Sequence, residues 1–101
     1  MSDEAAWGFT PPPFRPEEAL QRLRRELREL GLSEREGCFE RRGLRIARPA
    51  LAEGLLRVDT VQRPVRGSPQ WQSRTLSSAA ELRDYVSDLK KKLAQWSDHD
   101  D

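Results

Sequence analysis

Apolar positions recur along this chain in two helical stripes, with a segment of shorter alternating runs between them. Leu82, Val86, Leu89, Leu93 and Trp96 follow one another at intervals of 4, 3, 4 and 3 residues, the repeat that gathers side chains on one face of an α-helix. The spacing predicts one helix over residues 78–96 with that face buried. Leu20, Leu23, Leu27 and Leu30 repeat the pattern near the other end and predict a helix over 16–30. Both helices carry their own start or stop signals. Pro16 suits the first helical position, where its missing N–H would have no partner anyway, and Glu17 and Glu18 favour the positive end of the helix dipole. Gly31 can take a left-handed cap conformation that brings Leu32 to Leu27, the contact of a Schellman closure. Ser78 with Glu81 three positions on forms a capping box. Lys90, Lys91 and Lys92 fall toward the negative end of the second helix, a placement that explains them without a ligand.

Between the helices the runs are short. Phe39 to Arg41 and Leu44 to Arg48 flank Arg42-Gly43, a pair suited to a tight hairpin turn. Leu55 to Gln62 sets Leu56 and Val58 on one face and Arg57 and Asp59 on the other. Residues 64–69 read as a loop and 70–76 as a last strand. Trp71 and Leu76 have opposite parity in that strand, so either a bulge intervenes or one of the two lies outside the core. Short connections make an antiparallel meander the simplest arrangement. The expected fold class is α+β in the order helix-strands-helix, with two helices packed on one face of a three- to four-stranded antiparallel sheet and the other face open. That domain is expected to cover residues 14–96. Residues 1–13, with Pro11-Pro12-Pro13, read as a flexible arm whose Trp7 and Phe9 either fold back or recognise a partner. Residues 97–101 read as an acidic, disordered tail.

Composition changes this picture little, but charge placement changes it more. The chain has 101 residues, 35% charged and 36% apolar, with a net charge of +1. That length suits one domain. The basic residues are 15 Arg and 3 Lys, a bias that a GC-rich coding sequence produces without functional demand. From Cys38 to Leu76, however, eight arginines stand against three acids (Glu40, Glu53 and Asp59), a local excess of five positive charges. One cysteine permits no internal disulfide and no thiolate zinc cluster, and it points to the cytoplasm. The acidic first residues are not followed by an apolar run, so neither a signal peptide nor a membrane span is expected.

Catalytic chemistry finds few candidates. His99 stands alone in the tail, and Cys38 has no histidine within the folded region to act as its base. Glu40, Glu53 and Asp59 are spaced without any need to meet, and an Asp59–Arg surface pair is the simpler outcome. Gly43, Gly54 and Gly67 stand singly as turn glycines rather than as a phosphate-binding loop. No enzyme activity, cofactor or metal is expected. Double-stranded RNA-binding domains share the order helix, three strands, helix, but they carry a basic cluster at the start of the final helix. Here that start is Ser78, Ala79, Ala80 and Glu81, so the match stops at the order.

What remains is a basic and aromatic set: Arg57, Arg63, Arg66, Trp71 and Arg74 in the sheet segment, joined by Trp7 and Phe9 in the arm. Guanidinium groups can hold phosphates or carboxylates, and an exposed indole can stack on a base or a peptide side chain. Should Trp71 point inward, it is a core residue and the arginines merely keep the sheet edge soluble. The expected function is a small non-catalytic binding module for an unidentified protein partner or a second copy of itself, working through the open sheet face and the N-terminal arm. Single-stranded nucleic acid on the Arg-rich segment is the first alternative. A small-ligand or enzymatic site under the sheet is the second.

Overall fold

Helix α1 (Pro16–Glu29) ends as its sequence directs. Gly31 takes φ +92°, the Leu32 N–H donates to the Leu27 carbonyl at 3.2 Å, and the Gly31 N–H donates to Arg28 at 3.0 Å, the two bonds of a Schellman closure. The computed structural model describes residues 14–98, so Trp7, Phe9, the rest of the 1–13 arm and His99 lie outside the described residues. After α1 come β1 (Ser33–Arg35), β2 (Cys38–Arg41), β3 (Leu44–Ala52), β4 (Leu55–Val61), β5 (Trp71–Leu76) and helix α2 (Ala79–Asp98). The strands form one antiparallel meander in sequence order, β1-β2-β3-β4-β5.

The class is α+β and the order helix-strands-helix holds, but the sheet has five strands rather than three to four. The extra strand is β1. Its residues Ser33, Glu34 and Arg35 are all exposed, so no apolar alternation marks it. Its signal is the turn that follows. Glu36-Gly37, Arg42-Gly43 and Glu53-Gly54 all place both residues at positive φ, between 52° and 78°, the type I′ geometry that matches strand twist. Strand β3 also runs on through Pro49 to Ala52. Past Ala47 it pairs only with β4, so the missing Pro49 N–H breaks no bond of the β2–β3 ladder.

At Gly54 the turn alone decides the residue. A Cβ there would meet nothing within 4 Å, so the cost of a side chain is purely conformational. Gly54→Ala is expected to lower stability by about 1 kcal/mol. Glu53→Asn, at φ +53°, should raise it slightly, because Asn tolerates the left-handed region. Urea midpoints moving in the same direction for both variants would contradict this account of the turn.

Both helices cover one face of the sheet. The core joins Leu23 and Leu27 of α1, Phe39, Ile46, Leu56 and Val58 of the sheet, and Leu82, Leu89 and Leu93 of α2. Val86 and Trp96 pack against it half-buried, and Tyr85, outside the expected stripe, is also buried. The Tyr85 hydroxyl meets the Thr60 hydroxyl at 2.6 Å, which satisfies the one buried polar side chain of the sheet. Ser78 caps α2 by accepting from the Glu81 N–H at 3.1 Å, while the Glu81 carboxylate reaches back to the Ser77 N–H. Helix α2 extends to Asp98, two residues past the expected end, so the lysines stand before the last turn. Arg41 of β2 takes the helix-end role instead, donating to the Leu93 carbonyl at 3.2 Å and to Ser97 Oγ at 2.9 Å. Among the described residues, no helix is long and apolar enough to cross a membrane.

Candidate functional site

The uncovered face of the sheet is built by a single irregularity in β3. Phe39 pairs with Ala47 but Glu40 pairs with Arg45, which leaves Ile46 as an extra residue. Ile46 and Ala47 are both fully buried. This bulge resets the alternation, so Arg45 and Arg48, three residues apart, both stand on the open face. Cys38 and Glu40 of β2, Arg35 of β1 and Trp71 of β5 share that face by register. Residues 65–69 of the β4–β5 loop border the same side. The result is a cleft of about 890 Å³ lined by Arg35, Arg45, Arg48, Arg66, Trp71 and Glu40, with the Glu36-Gly37 turn at its rim.

Trp71 is half-buried on the open side, and β5 contains no bulge to reconcile it with Leu76. Its ring is not a free platform, because the Arg48 guanidinium lies 3.9 Å from the ring centroid. Arg48 is held there by its Nε, which donates to Asp59 Oδ2 at 3.2 Å. Asp59 also accepts from Ser73 Oγ at 2.6 Å and from Arg57 Nε at 3.4 Å. Partial burial pushes the Asp59 carboxyl upward, yet Ser73, Arg48 and Arg57 together outweigh burial and hold it below the usual carboxylate range. Burial and the neighbouring Glu40 push the Cys38 thiol up, and Arg45 and Arg48 only partly oppose them. Cys38 is therefore held as the thiol.

The expected site residues separate. Arg66 and Trp71 enter the cleft. Arg57 shares the face but is bound to Asp59 and, at 3.0 Å, to Ser73. Arg63 lines a second cleft at the end of the sheet, of about 660 Å³, with Ile46, Pro64 and Trp96. Arg74 turns to the helix side, where it donates to Asp88 at 3.1 Å and sits 5.6 Å from the Tyr85 ring centroid. It does not border Trp71 as the sequence suggested, because Trp71 and Arg74 differ by three positions and hence in parity. Glu40, Glu53 and Asp59 do not converge: Glu40 faces the cleft, Glu53 stands in a hairpin turn and Asp59 is tied to the arginines. Among the described residues no group of three or more His, Cys, Asp or Glu comes together to hold a metal ion.

Arg35, Arg45 and Arg48 were not singled out by sequence. The signal for the latter two is Arg45-Ile46-Ala47-Arg48, where two adjacent apolar residues interrupt strict alternation. Arg35 has no signal apart from the Glu36-Gly37 turn. Arg35, Arg45 and Arg66 make no ion pair with any described residue. No family model, curated protein or solved structure matches this chain, so the site is interpreted from its own residues.

Proposed function

We propose that this protein is a non-catalytic binding module whose open sheet face takes an acidic segment of a protein partner. The observation that carries this is the set of guanidinium groups of Arg35, Arg45 and Arg66, which make no ion pair with any described residue, around one cleft. Such groups fork onto carboxylates with paired hydrogen bonds. A single strand of nucleic acid would be drawn by the same charge. It also needs free aromatic faces on which bases stack, and Trp71, the one aromatic ring lining the cleft among the described residues, has Arg48 over it.

The test is fluorescence anisotropy of a labelled oligoglutamate peptide and of oligothymidylate and oligouridylate of equal charge, at low and moderate salt. The peptide is expected to bind with an affinity that falls as salt rises. Arg45→Ala and Arg66→Ala should each weaken it several-fold, about 0.5–1 kcal/mol, and Arg74→Ala, on the other face, should leave it unchanged. Tighter binding of either oligonucleotide would replace the protein partner by a nucleic acid. No binding of any probe at low salt would remove the cleft as a polyanion site.

A further inference from the structure

The two clefts are neighbours, and together they describe more than an anion site. Leu44 lines both of them, and the β4–β5 loop passes directly from one to the other: Arg63 and Pro64 border the end cleft, Val65 and Arg66 the open-face cleft. The two clefts meet at Leu44 between the β2–β3 hairpin and this loop, one on the open face and the other on the helix side at the end of the sheet, beside Trp96 of α2. They differ in chemistry. The open-face cleft presents Arg35, Arg45 and Arg66, which make no ion pair with any described residue. The helix-side cleft is lined by half-buried Leu44, Pro64 and Trp96 beside Gln62 and Gln95, with Arg63, which makes no ion pair with any described residue, at its margin.

Resting on the function proposed above, we infer that the two clefts recognise an extended acidic segment that carries one large apolar side chain. That side chain enters the cleft of Leu44, Pro64 and Trp96, and the flanking carboxylates meet Arg63 on one side and Arg45 and Arg66 on the other. An extended chain advances about 3.3–3.6 Å per residue. Because one residue, Leu44, forms the shared wall, anchor and first carboxylate are expected about two to three positions apart. Charge alone supplies attraction without register, and the apolar anchor supplies register.

Two labelled nonapeptides test this on the full chain: glutamates with a central leucine, and the same peptide with a central serine. The leucine peptide is expected to bind at least about tenfold tighter, the effect of burying one aliphatic side chain. Trp96→Ala should remove that preference and leave the serine peptide unchanged, whereas Arg66→Ala should weaken both. Because Trp96 also packs on the core, amide spectra of the unaltered protein provide a second measurement. The leucine peptide should shift Gln62, Arg63 and Gln95 together with Gly67, and the serine peptide only the Gly67 side. Equal affinities, or shifts confined to Gly67 with both peptides, would overturn the anchor and leave the acidic-segment function standing. Failure of both peptides to bind at low salt would overturn the two together.

Discussion

Leu89→Ala is expected to destabilise the protein by about 2 to 5 kcal/mol, a large share of the roughly 5 to 15 kcal/mol that separates folded from unfolded domains. Leu89 lies at the middle of α2 and is 1% exposed. Its side chain belongs to the single cluster that joins both helices to the sheet. Truncation therefore loses the transfer free energy of the removed carbons and leaves a cavity that a close-packed core closes only in part. Arg83, nearly two turns earlier on the exposed face, should tolerate alanine within roughly 0.5 kcal/mol. Urea unfolding decides the matter: a large fall in midpoint at unchanged slope is expected for Leu89→Ala alone. Equal shifts for the two variants would show that α2 presents a different face to the sheet.

The second large effect concerns Tyr85 and Thr60. Their hydroxyls meet at 2.6 Å in a site where both residues are at most 5% exposed. Tyr85→Phe or Thr60→Val leaves one buried hydroxyl without that partner and should cost about 1–3 kcal/mol. The double variant, which removes both groups, should cost less than the sum of the two. Burial of the phenol pushes Tyr85 up to about 12 from an ordinary 10.0, against the opposing hydrogen bond from Thr60 and the charge of Arg74. The unfolded chain releases this proton near pH 10 and the folded chain near pH 12. Between those values the unfolded state holds fewer protons, so the stability present below pH 10 declines as pH rises, by roughly 2–3 kcal/mol. Denaturant unfolding at pH 8, 10 and 11.5 should show this loss for the unaltered protein and a smaller one for Tyr85→Phe. Parallel losses would mean that the phenol is not buried as described.

Much of the fold was legible because its signals are local. Each helix is written in a 3.6-residue repeat and bounded by Pro16, Gly31 or Ser78, and each of these acts within a few residues of itself. The turn at Arg42-Gly43 is local in the same sense. Strand β1 was not legible, since a three-residue edge strand buries nothing and has no apolar side to display. Parity leaves Trp71 between two roles, and the structure combines them: its ring is half-buried against the core cluster from the side the helices leave open. It stands on the open face, but under a guanidinium.

The class, the helices with their buried faces, the antiparallel order of the strands and the excess of positive charge between them are written in the order of the residues. Which arginines stand together emerges only once the sheet is assembled. Arg57 and Arg48 share Asp59, Arg74 goes to the helix side, and Arg35, Arg45 and Arg66 meet around one cleft from three separate segments. A side chain's face in a sheet depends on register. One extra residue at Ile46 reverses that face for everything beyond it. Whether a guanidinium is free depends in turn on which carboxylate a neighbouring strand brings beside it, and a linear chain does not display that proximity.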